Sequence, residues 1–250
     1  MSGRMVAVLL LVMTAGASVF AQQSDPISSL LLRFDAEHNL FLKEQLLGNI
    51  TSQGTESGPA LLQIAQSTMN TDTRWMAIRG LATLRYTACA PFLEASLKDS
   101  DWTVRANAAR ALGDLRITNA SAPLLDMFAV EQEPGAVEQA SLALRMLNIK
   151  AGVPFIRQKI PAFKRQTRTW LIQALGALGS AADAPLISQY LDEPGIDSFA
   201  VQALQELVGV SFGAFTLGVA PDPSPETLRA RAWWNSHKDE WPRCDDCHFK

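Results

Sequence analysis

A period of 31 to 33 residues runs through most of this 250-residue chain and restricts its fold more than any other feature. Prolines mark the period at positions 26, 59, 91, 123, 154 and 185. A leucine pair keeps the same spacing, at Leu81/Leu84, Leu112/Leu115, Leu144/Leu147, Leu175/Leu178 and Leu204/Leu207. Because two independent landmarks share one period, the sequence indicates an internal repeat rather than a mere excess of leucine.

Each repeat unit predicts two helices. The segments 90–99, 122–131, 153–160 and 184–193 have a proline near the first turn, where its missing N–H costs nothing, and then apolar residues three and four apart. A polar or Pro/Gly break follows, and after it comes a second helix of small and aliphatic residues. Neither helix can bury its apolar stripe alone, whereas stacked pairs can. We therefore predict an all-α fold, an α-solenoid of stacked antiparallel helix pairs.

The second helices resemble a known repeat. Residues Asp101 to Leu115 read D-x-x-V-R-x-x-A-A-x-A-L-G-x-L, which is similar to the short HEAT-like repeat also found in phycobilin lyases. Weaker copies lie at 73–84, 136–147, 166–178 and 196–207, and two of them replace the motif arginine, by Val137 and Asp197. The resemblance covers about 59–210 and implies a binding scaffold. It does not imply lyase activity, because the repeat is only the frame.

The motif arginine survives as Arg74, Arg105 and Arg168, at equivalent positions of the second helices. We predict that these arginines form a ladder of hydrogen bonds and ion pairs between successive units. Their predicted role is structural.

The amino terminus predicts an export signal. Arg4 precedes an uncharged apolar run from about Val6 to Phe20, and Val19-Phe20-Ala21 has the small residues of a cleavage site. The run is short for a hydrocarbon core of about 30 Å, which favours cleavage after Ala21 over an uncleaved anchor. We therefore predict a signal peptide at 1–21 and a periplasmic or secreted protein with no membrane span after cleavage.

The rest of the chain is predicted to form three parts. We expect N-terminal capping helices at 22–58, HEAT-like repeats at 59–210, and a C-terminal cap helix with a tail at 211–250. In the cap helix, Trp233, Trp234 and Trp241 are expected to cover the open end of the solenoid, with ligand stacking as the alternative. This end also resembles the tails of some secreted bacterial HEAT-like proteins.

The tail holds the one stretch with specific chemistry. Cys244, Cys247 and His248 form C-x-x-C-H, the attachment signature of c-type haem. The two thiols have the spacing to add to the two haem vinyl groups, and the adjacent imidazole is suited to bind the iron. No methionine follows Met146, so His237 is the candidate second axial ligand. An export signal agrees with this assignment, because haem attachment takes place outside the cytosol.

Two other interpretations of the tail stay open. Only two residues follow His248, so little chain remains to surround a porphyrin. A Cys244–Cys247 disulfide in so short a loop would be strained, and the thiols could equally be inert. Zinc bound by Cys244, Cys247, His248 and His237 has suitable ligand types. The third cysteine, Cys89, is predicted to be a small buried apolar residue.

Charge is distributed unevenly along the chain. The net charge of -3 gives no overall footprint for nucleic acid. Between Gln139 and Ala182, however, there are seven cations and no acid. Such a run is either a solvated helix face or a docking site for an acidic protein partner, and Lys164, Arg165 and Arg168 are the candidate partner-binding residues.

Two functions follow from these features. The first is an exported, non-enzymatic scaffold that binds a protein partner through the face formed by its second helices. The second is a periplasmic electron-transfer protein whose haem is attached at the tail. We predict no catalytic residues, because the sequence contains three histidines and none of the common hydrolase, metalloprotease or phosphate-loop motifs.

Overall fold

The computed structural model describes residues 26–213 and 223–241, and all the regular secondary structure in these ranges is helical. The first helices of the pairs are α1 (Ile27–Ala36), α3 (Gly58–Ser67), α5 (Ala90–Ser96), α7 (Ser121–Val130), α9 (Val153–Ala162) and α11 (Ala184–Ser188). The second helices are α2 (Leu40–Ser52), α4 (Thr71–Thr83), α6 (Trp102–Asp114), α8 (Pro134–Met146), α10 (Arg165–Leu178) and α12 (Asp197–Val208). A last helix, α13 (Pro225–His237), follows them.

The helix pairs stack in sequence order and form an α-solenoid, which confirms the predicted fold. The second helices of neighbouring units pack directly on one another, and they approach more closely than the first helices do. The stack therefore curves with the second helices on its inner side. No helix in the described part of the chain has the length and apolar character that a membrane span requires.

Local signals at the period of the repeat explain where the second helices begin. The side chains of Asn39, Asn70 and Asp101 accept hydrogen bonds from backbone N–H groups in the first turns of α2, α4 and α6. These caps are 31 residues apart and satisfy donors that have no partner within the helix. At α8 the first helical residue is Pro134, which lacks the N–H that would need a cap.

Small residues let successive second helices approach closely. A β-carbon added to Gly176 would lie 2.7 Å from the Cα of Ala203, and one on Gly113 would lie 3.0 Å from the Cα of Ala143. Neither site has room for a side chain. The alanine-rich stripe of the motif therefore sets the tight spacing of the inner layer.

The predicted arginine ladder is present. Each of its three members donates to a backbone carbonyl of the loop within its own helix pair: Arg74 to Thr68, Arg105 to Asp99 and Ser100, and Arg168 to Phe163. Each also pairs with an acid that follows the first helix of the next pair: Arg74 with Asp99 at 2.7 Å, Arg105 with Glu131 at 2.7 Å, and Arg168 with Glu193 at 2.9 Å.

Other contacts replace the ladder where the motif arginine is missing. In the unit that carries Val137, the buried Lys159 reaches back from α9 and donates to the backbone carbonyl of Glu131 at 2.8 Å. In the last unit, Asp197 accepts a hydrogen bond from the hydroxyl of Thr227 at 3.0 Å. The ladder therefore ends on the cap helix α13.

The cap helix lies against α12 at the C-terminal end of the stack. Trp233, Trp234 and Trp241 are partly buried against the hydrophobic core, and the indole N–H of Trp241 donates to the carbonyl of Ala181 at 2.8 Å. These contacts place the three tryptophans in the covering role that the sequence predicts for them. The other predicted buried residue, Cys89, is fully buried, which confirms that prediction.

A candidate partner-binding groove on the second helices

The inner face of α4, α6 and α8 forms a groove with a volume of about 830 Å³. Its floor consists largely of small residues of the repeat motif, among them Ala82, Ala106, Ala111 and Gly135. Larger polar and aromatic side chains stand along its length and at both rims: Trp75, Arg79, Arg85, Trp102, Arg110 and Arg116. The groove thus spans three successive helix pairs and is built wholly from second helices and the residues that directly follow them.

Two tryptophans form one side of the groove. Trp102 begins α6, and its side chain remains 42% exposed although it lies over Gly135 at the start of α8. A β-carbon on Gly135 would lie 2.5 Å from the Trp102 ring, so that glycine makes room for the indole. Trp75 is fixed by a hydrogen bond from its indole N–H to Asp72 at 3.1 Å. The two rings offer apolar surface next to charged groups.

Two arginines occupy the middle of the groove. Arg79 donates to both carboxylate oxygens of Glu44, at 3.0 and 3.2 Å, and its guanidinium lies 5.5 Å from the centre of the Trp75 ring. Arg110 donates to Asp114 at 2.9 Å and to Gln139 at 3.4 Å. Their side chains are 44% and 45% exposed. Both guanidinium groups are therefore oriented by neighbours and still accessible.

Two further arginines form the opposite rim. Arg85 and Arg116 directly follow the last turn of α4 and α6 in a left-handed conformation, with φ of 56° and 58°. Arg85 donates to the carbonyl of Asp114 at 3.0 Å, and Arg116 donates to the carbonyl of Met146. Each therefore satisfies a carbonyl at the end of the next second helix.

The left-handed conformation at these two positions has a defined hydrogen-bond pattern. The N–H of Tyr86 donates to Leu81 at 3.1 Å, and the N–H of Arg85 donates to Ala82 at 3.0 Å, which is a Schellman motif. Glycine is the usual residue there, and a larger side chain costs on the order of 1 kcal/mol. A strained backbone that holds a charged side chain over a groove is a common feature of binding sites.

The groove is basic although the chain is acidic. Its lining includes the four arginines named above and one acid, Asp114, so the lining carries a net charge of three positive units. The whole chain has a net charge of -3. The positive charge is therefore concentrated at this concave surface.

The structure divides the three residues that the sequence proposes for partner binding. Lys164 and Arg165 are exposed in the loop before α10 and at its start. Arg168 is the ladder arginine: it donates to Glu193 and to the carbonyls of Ile160 and Phe163, and its guanidinium lies 5.2 Å from the centre of the Tyr190 ring. These contacts hold the Arg168 side chain within the fold, so only Lys164 and Arg165 remain as candidates on that surface.

The basic window does not form one continuous surface. Arg157 binds both carboxylate oxygens of Asp183, at 2.5 and 3.0 Å. Lys159 is buried, and burial lowers its pKa, an effect that the nearby charge of Glu131 partly offsets. Lys150 precedes α9 and Lys164 follows it, so the two lysines lie at opposite ends of that helix. A run of charge in the sequence thus divides among unrelated positions.

The haem-attachment motif lies outside the described residues, as Cys244, Cys247 and His248 all follow residue 241. His237, the candidate second axial ligand, ends α13. Its ring stacks on Trp233 with centroids 4.5 Å apart, and its Nδ1 lies 2.8 Å from the Trp233 carbonyl oxygen. Within the described ranges, no cluster of three potential metal ligands is present.

Sequence reasoning missed the groove arginines, although a signal for them exists. Arg79 and Arg110 are 31 residues apart, and so are Arg85 and Arg116. Because this spacing equals the repeat period, the members of each pair occupy equivalent positions of adjacent second helices. Exposed cations in phase with the repeat are thus a better guide to the inner face than a run of cations in the sequence.

The fold and the groove define the class of this protein, an α-solenoid with a concave face formed by second helices. Residues 58–145 match the family model described as HEAT repeats. This segment begins with α3 and ends near the end of α8, so it contains nearly all of the groove. That part of the chain consists of HEAT repeats, as the motif between Asp101 and Leu115 predicts.

Among solved structures, the chain is similar to one from the complex of CpcE and CpcF of phycocyanin lyase from Nostoc sp. PCC7120. The identity is 17%, the TM-score is 0.44, and the match covers 84% of this chain and 94% of that chain. No curated protein matches the sequence.

Proposed function

We propose that this protein is an exported, non-enzymatic scaffold whose inner groove binds a segment of a protein partner. The observation that carries the proposal is the groove itself, which runs over α4, α6 and α8 and presents accessible tryptophan and arginine side chains. Tryptophan and arginine are the residues most enriched among those that dominate the energy of protein interfaces. A concave face formed by second helices is also the surface that solenoid proteins use for recognition.

The chemistry of the groove suits binding better than catalysis. The guanidinium groups of Arg79, Arg85, Arg110 and Arg116 keep their charge at any physiological pH, so they do not exchange protons with a substrate. Their fixed, planar donors match carboxylates. The one carboxylate in the lining, Asp114, is bound by Arg110. An elongated surface of this kind fits a length of polypeptide that crosses the repeats.

The electrostatics favour an acidic partner segment. The groove lining carries an excess of three positive charges, while the chain as a whole is negative. Opposite charge increases the rate of encounter and selects against wrong partners. The acidic partner proposed from the sequence is thereby moved from the surface of Lys164 and Arg165 to the groove.

Two surfaces can be compared directly by affinity capture from an exported fraction. The groove variant carries Arg79→Gln and Arg110→Gln, and the matched control carries Lys164→Gln and Arg165→Gln, with the same loss of two positive charges. We expect the groove variant to capture at least about tenfold less partner, because a charge-assisted hydrogen bond contributes roughly 1.5–3 kcal/mol. The control should capture as much as the parent protein. The reverse pattern would return the partner site to the loop before α10.

Haem attachment at Cys244 and Cys247 is a second proposal, and it is compatible with the first. The spacing C-x-x-C-H supports it, and His237 ends the helix that leads to the motif. Haem would add its mass to the exported protein and give a pyridine haemochrome spectrum in a host that produces c-type cytochromes. A mass equal to that of the bare polypeptide would contradict it.

A further inference from the structure

The arginines of the groove form two pairs that follow the repeat. Arg79 and Arg110 are at equivalent positions of α4 and α6, and Arg85 and Arg116 directly follow the last turns of the same helices. The members of a pair are therefore separated by one helix spacing, about 8–10 Å. A ligand that contacts both members must carry its acceptors at that separation.

Polyproline II is the peptide conformation with this spacing. It has three residues per turn and rises about 3.1 Å per residue, so side chains i and i+3 point the same way about 9 Å apart. In a β-strand, side chains on one face are about 7 or 13 Å apart, at two or four residues. In an α-helix, one turn advances about 5.4 Å. Among these conformations, only polyproline II matches adjacent helices with adjacent turns.

We infer that the groove binds an acidic segment in the polyproline II conformation, with carboxylates three residues apart. This inference rests on the proposed function and specifies the partner of the same site. A carboxylate is the acceptor that best fits the planar donors of arginine. The excess of positive charge in the groove, on a chain with a net charge of -3, supplies the complementarity.

The arginines retain donors for such a ligand. A guanidinium has five N–H groups. Among the described residues, Arg79 makes two hydrogen bonds, both to Glu44, and Arg110 makes one each to Asp114 and Gln139. Arg85 and Arg116 each make one hydrogen bond, to a backbone carbonyl. The internal contacts therefore orient the four side chains without using all of their donors.

The rest of the groove fits the remaining needs of such a segment. Proline-rich segments dock on aromatic surfaces, and the rings of Trp75 and Trp102 form one side of the groove. A polyproline II backbone makes no internal hydrogen bonds, so its carbonyls need outside donors. Asn107 and Gln139 are at equivalent positions of α6 and α8, within the lining, and bear amide groups of the required kind.

A nucleic acid fits the groove less well. A phosphate backbone is usually bound by many cations along a basic stripe, whereas acids stand among these arginines. Asp114 lies in the lining, and Glu44 is bound to Arg79. A discrete pair of carboxylates can be placed between such acids, but a continuous row of phosphates meets their repulsion.

Fluorescence anisotropy with the full chain and labelled 12-residue peptides tests the inference. The first peptide repeats Glu-Pro-Pro, which places carboxylates three residues apart. The second has the same composition with the glutamates in other spacings, and the third has glutamine in place of glutamate. A thymidine 12-mer serves as the nucleic acid probe. Melting temperatures of all protein variants establish that they are folded.

We expect the Glu-Pro-Pro peptide to bind at least about tenfold more tightly than either peptide control. Arg110→Gln should weaken its binding about tenfold or more, since each charge-assisted hydrogen bond contributes roughly 1.5–3 kcal/mol. Lys164→Gln with Arg165→Gln should leave its binding unchanged. Equal binding of the two acidic peptides, or tighter binding of the thymidine 12-mer, would overturn the inference.

The peptide result and the capture result can fail separately. If the peptides do not bind but the groove variant still loses its partner from the exported fraction, the proposed function stands and the polyproline II inference is wrong. If the groove variant captures as much partner as the parent protein does, the proposed function is wrong as well.

Discussion

Arg105 donates two hydrogen bonds to the carboxylate of Glu131, 2.7 Å from its Nε and 3.0 Å from its Nη2, across the boundary between two successive helix pairs. Its third nitrogen donates to the carbonyls of Asp99 and Ser100 in the loop of its own pair. One side chain therefore fixes two neighbouring loops relative to each other. Arg74 and Arg168 repeat the arrangement with Asp99 and Glu193, so the ladder couples the units that form the groove.

Loss of this coupling should destabilise the protein. The side chain of Glu131 is only 5% exposed, so Arg105→Leu leaves a carboxylate in a largely buried position without its cation. We expect the free energy of unfolding in urea to fall by about 3 kcal/mol. Arg79→Leu, which removes the exposed pair with Glu44, should cost no more than about 1 kcal/mol. Similar losses for the two variants would contradict a structural role for the ladder.

The same pair predicts a pH dependence of stability. Burial raises the pKa of Glu131, but hydrogen bonds from Arg105 and from the backbone N–H groups of Glu133 and Gln132 outweigh burial, so the pKa lies below the ordinary 4.5. A carboxyl whose pKa is lowered by folding stabilises the protein above its ordinary pKa, and that contribution is lost as the pH falls through the folded value.

We therefore expect the unfolding free energy to decrease as the pH falls from about 5 towards 3, in the range where Glu131 is protonated more readily in the unfolded chain. Glu131→Gln should reduce this slope and lower the stability at neutral pH. Urea unfolding at several pH values measures both effects. An unchanged slope in the variant would show that other carboxyls cause the acid sensitivity.

A pair of glycines tests the close packing of the second helices. Alanine is about 1 kcal/mol better than glycine within a helix, so Gly48→Ala in α2, where a β-carbon meets nothing within 4 Å, should stabilise the protein by about that amount. Gly176→Ala in α10 should instead destabilise it by about 1–3 kcal/mol, because the new carbon overlaps the backbone of Ala203. Thermal unfolding of both variants measures the contrast, and equal shifts would contradict the tight spacing.

Cys89 should be unreactive in the folded protein. Burial raises the pKa of its thiol to about 11, and the Sγ lies 2.8 Å from the Tyr86 carbonyl oxygen. Alkylation at pH 8 followed by peptide mass mapping should find Cys89 unmodified under native conditions and modified in urea, since only the thiolate reacts. Rapid native modification would mean that the loop before α5 opens readily.

The fold was predictable because its determinants are local and repeated. The prolines, the leucine pair and Arg74, Arg105 and Arg168 recur at one spacing, and the physical reason for each recurs with them. The replacements for a missing arginine were not predictable. Lys159 fills the place left by Val137 from a different helix, a compensation that depends on the packing of two units.

The candidate site was predictable only in part. The second helices were the expected binding face, and the groove lies on them. The residues chosen from the basic window were less successful, because sequence alone does not show which cations are bound internally. Arg168 and Arg157 are held by Glu193 and Asp183, whereas the accessible Arg110 comes from a segment with no excess of positive charge.

Site-specific photo-crosslinking in the exporting cell tests the central claim most directly. A photoreactive amino acid replaces Thr83, an exposed residue of the groove lining, or Asp126, an exposed residue of the first helix α7 on the other side of the solenoid. The account predicts that Thr83 gives a discrete crosslinked protein and that Asp126 does not. It also predicts that Arg79→Gln with Arg110→Gln abolishes the Thr83 product. Crosslinking from Asp126 alone, or a Thr83 product that survives the arginine changes, would contradict it.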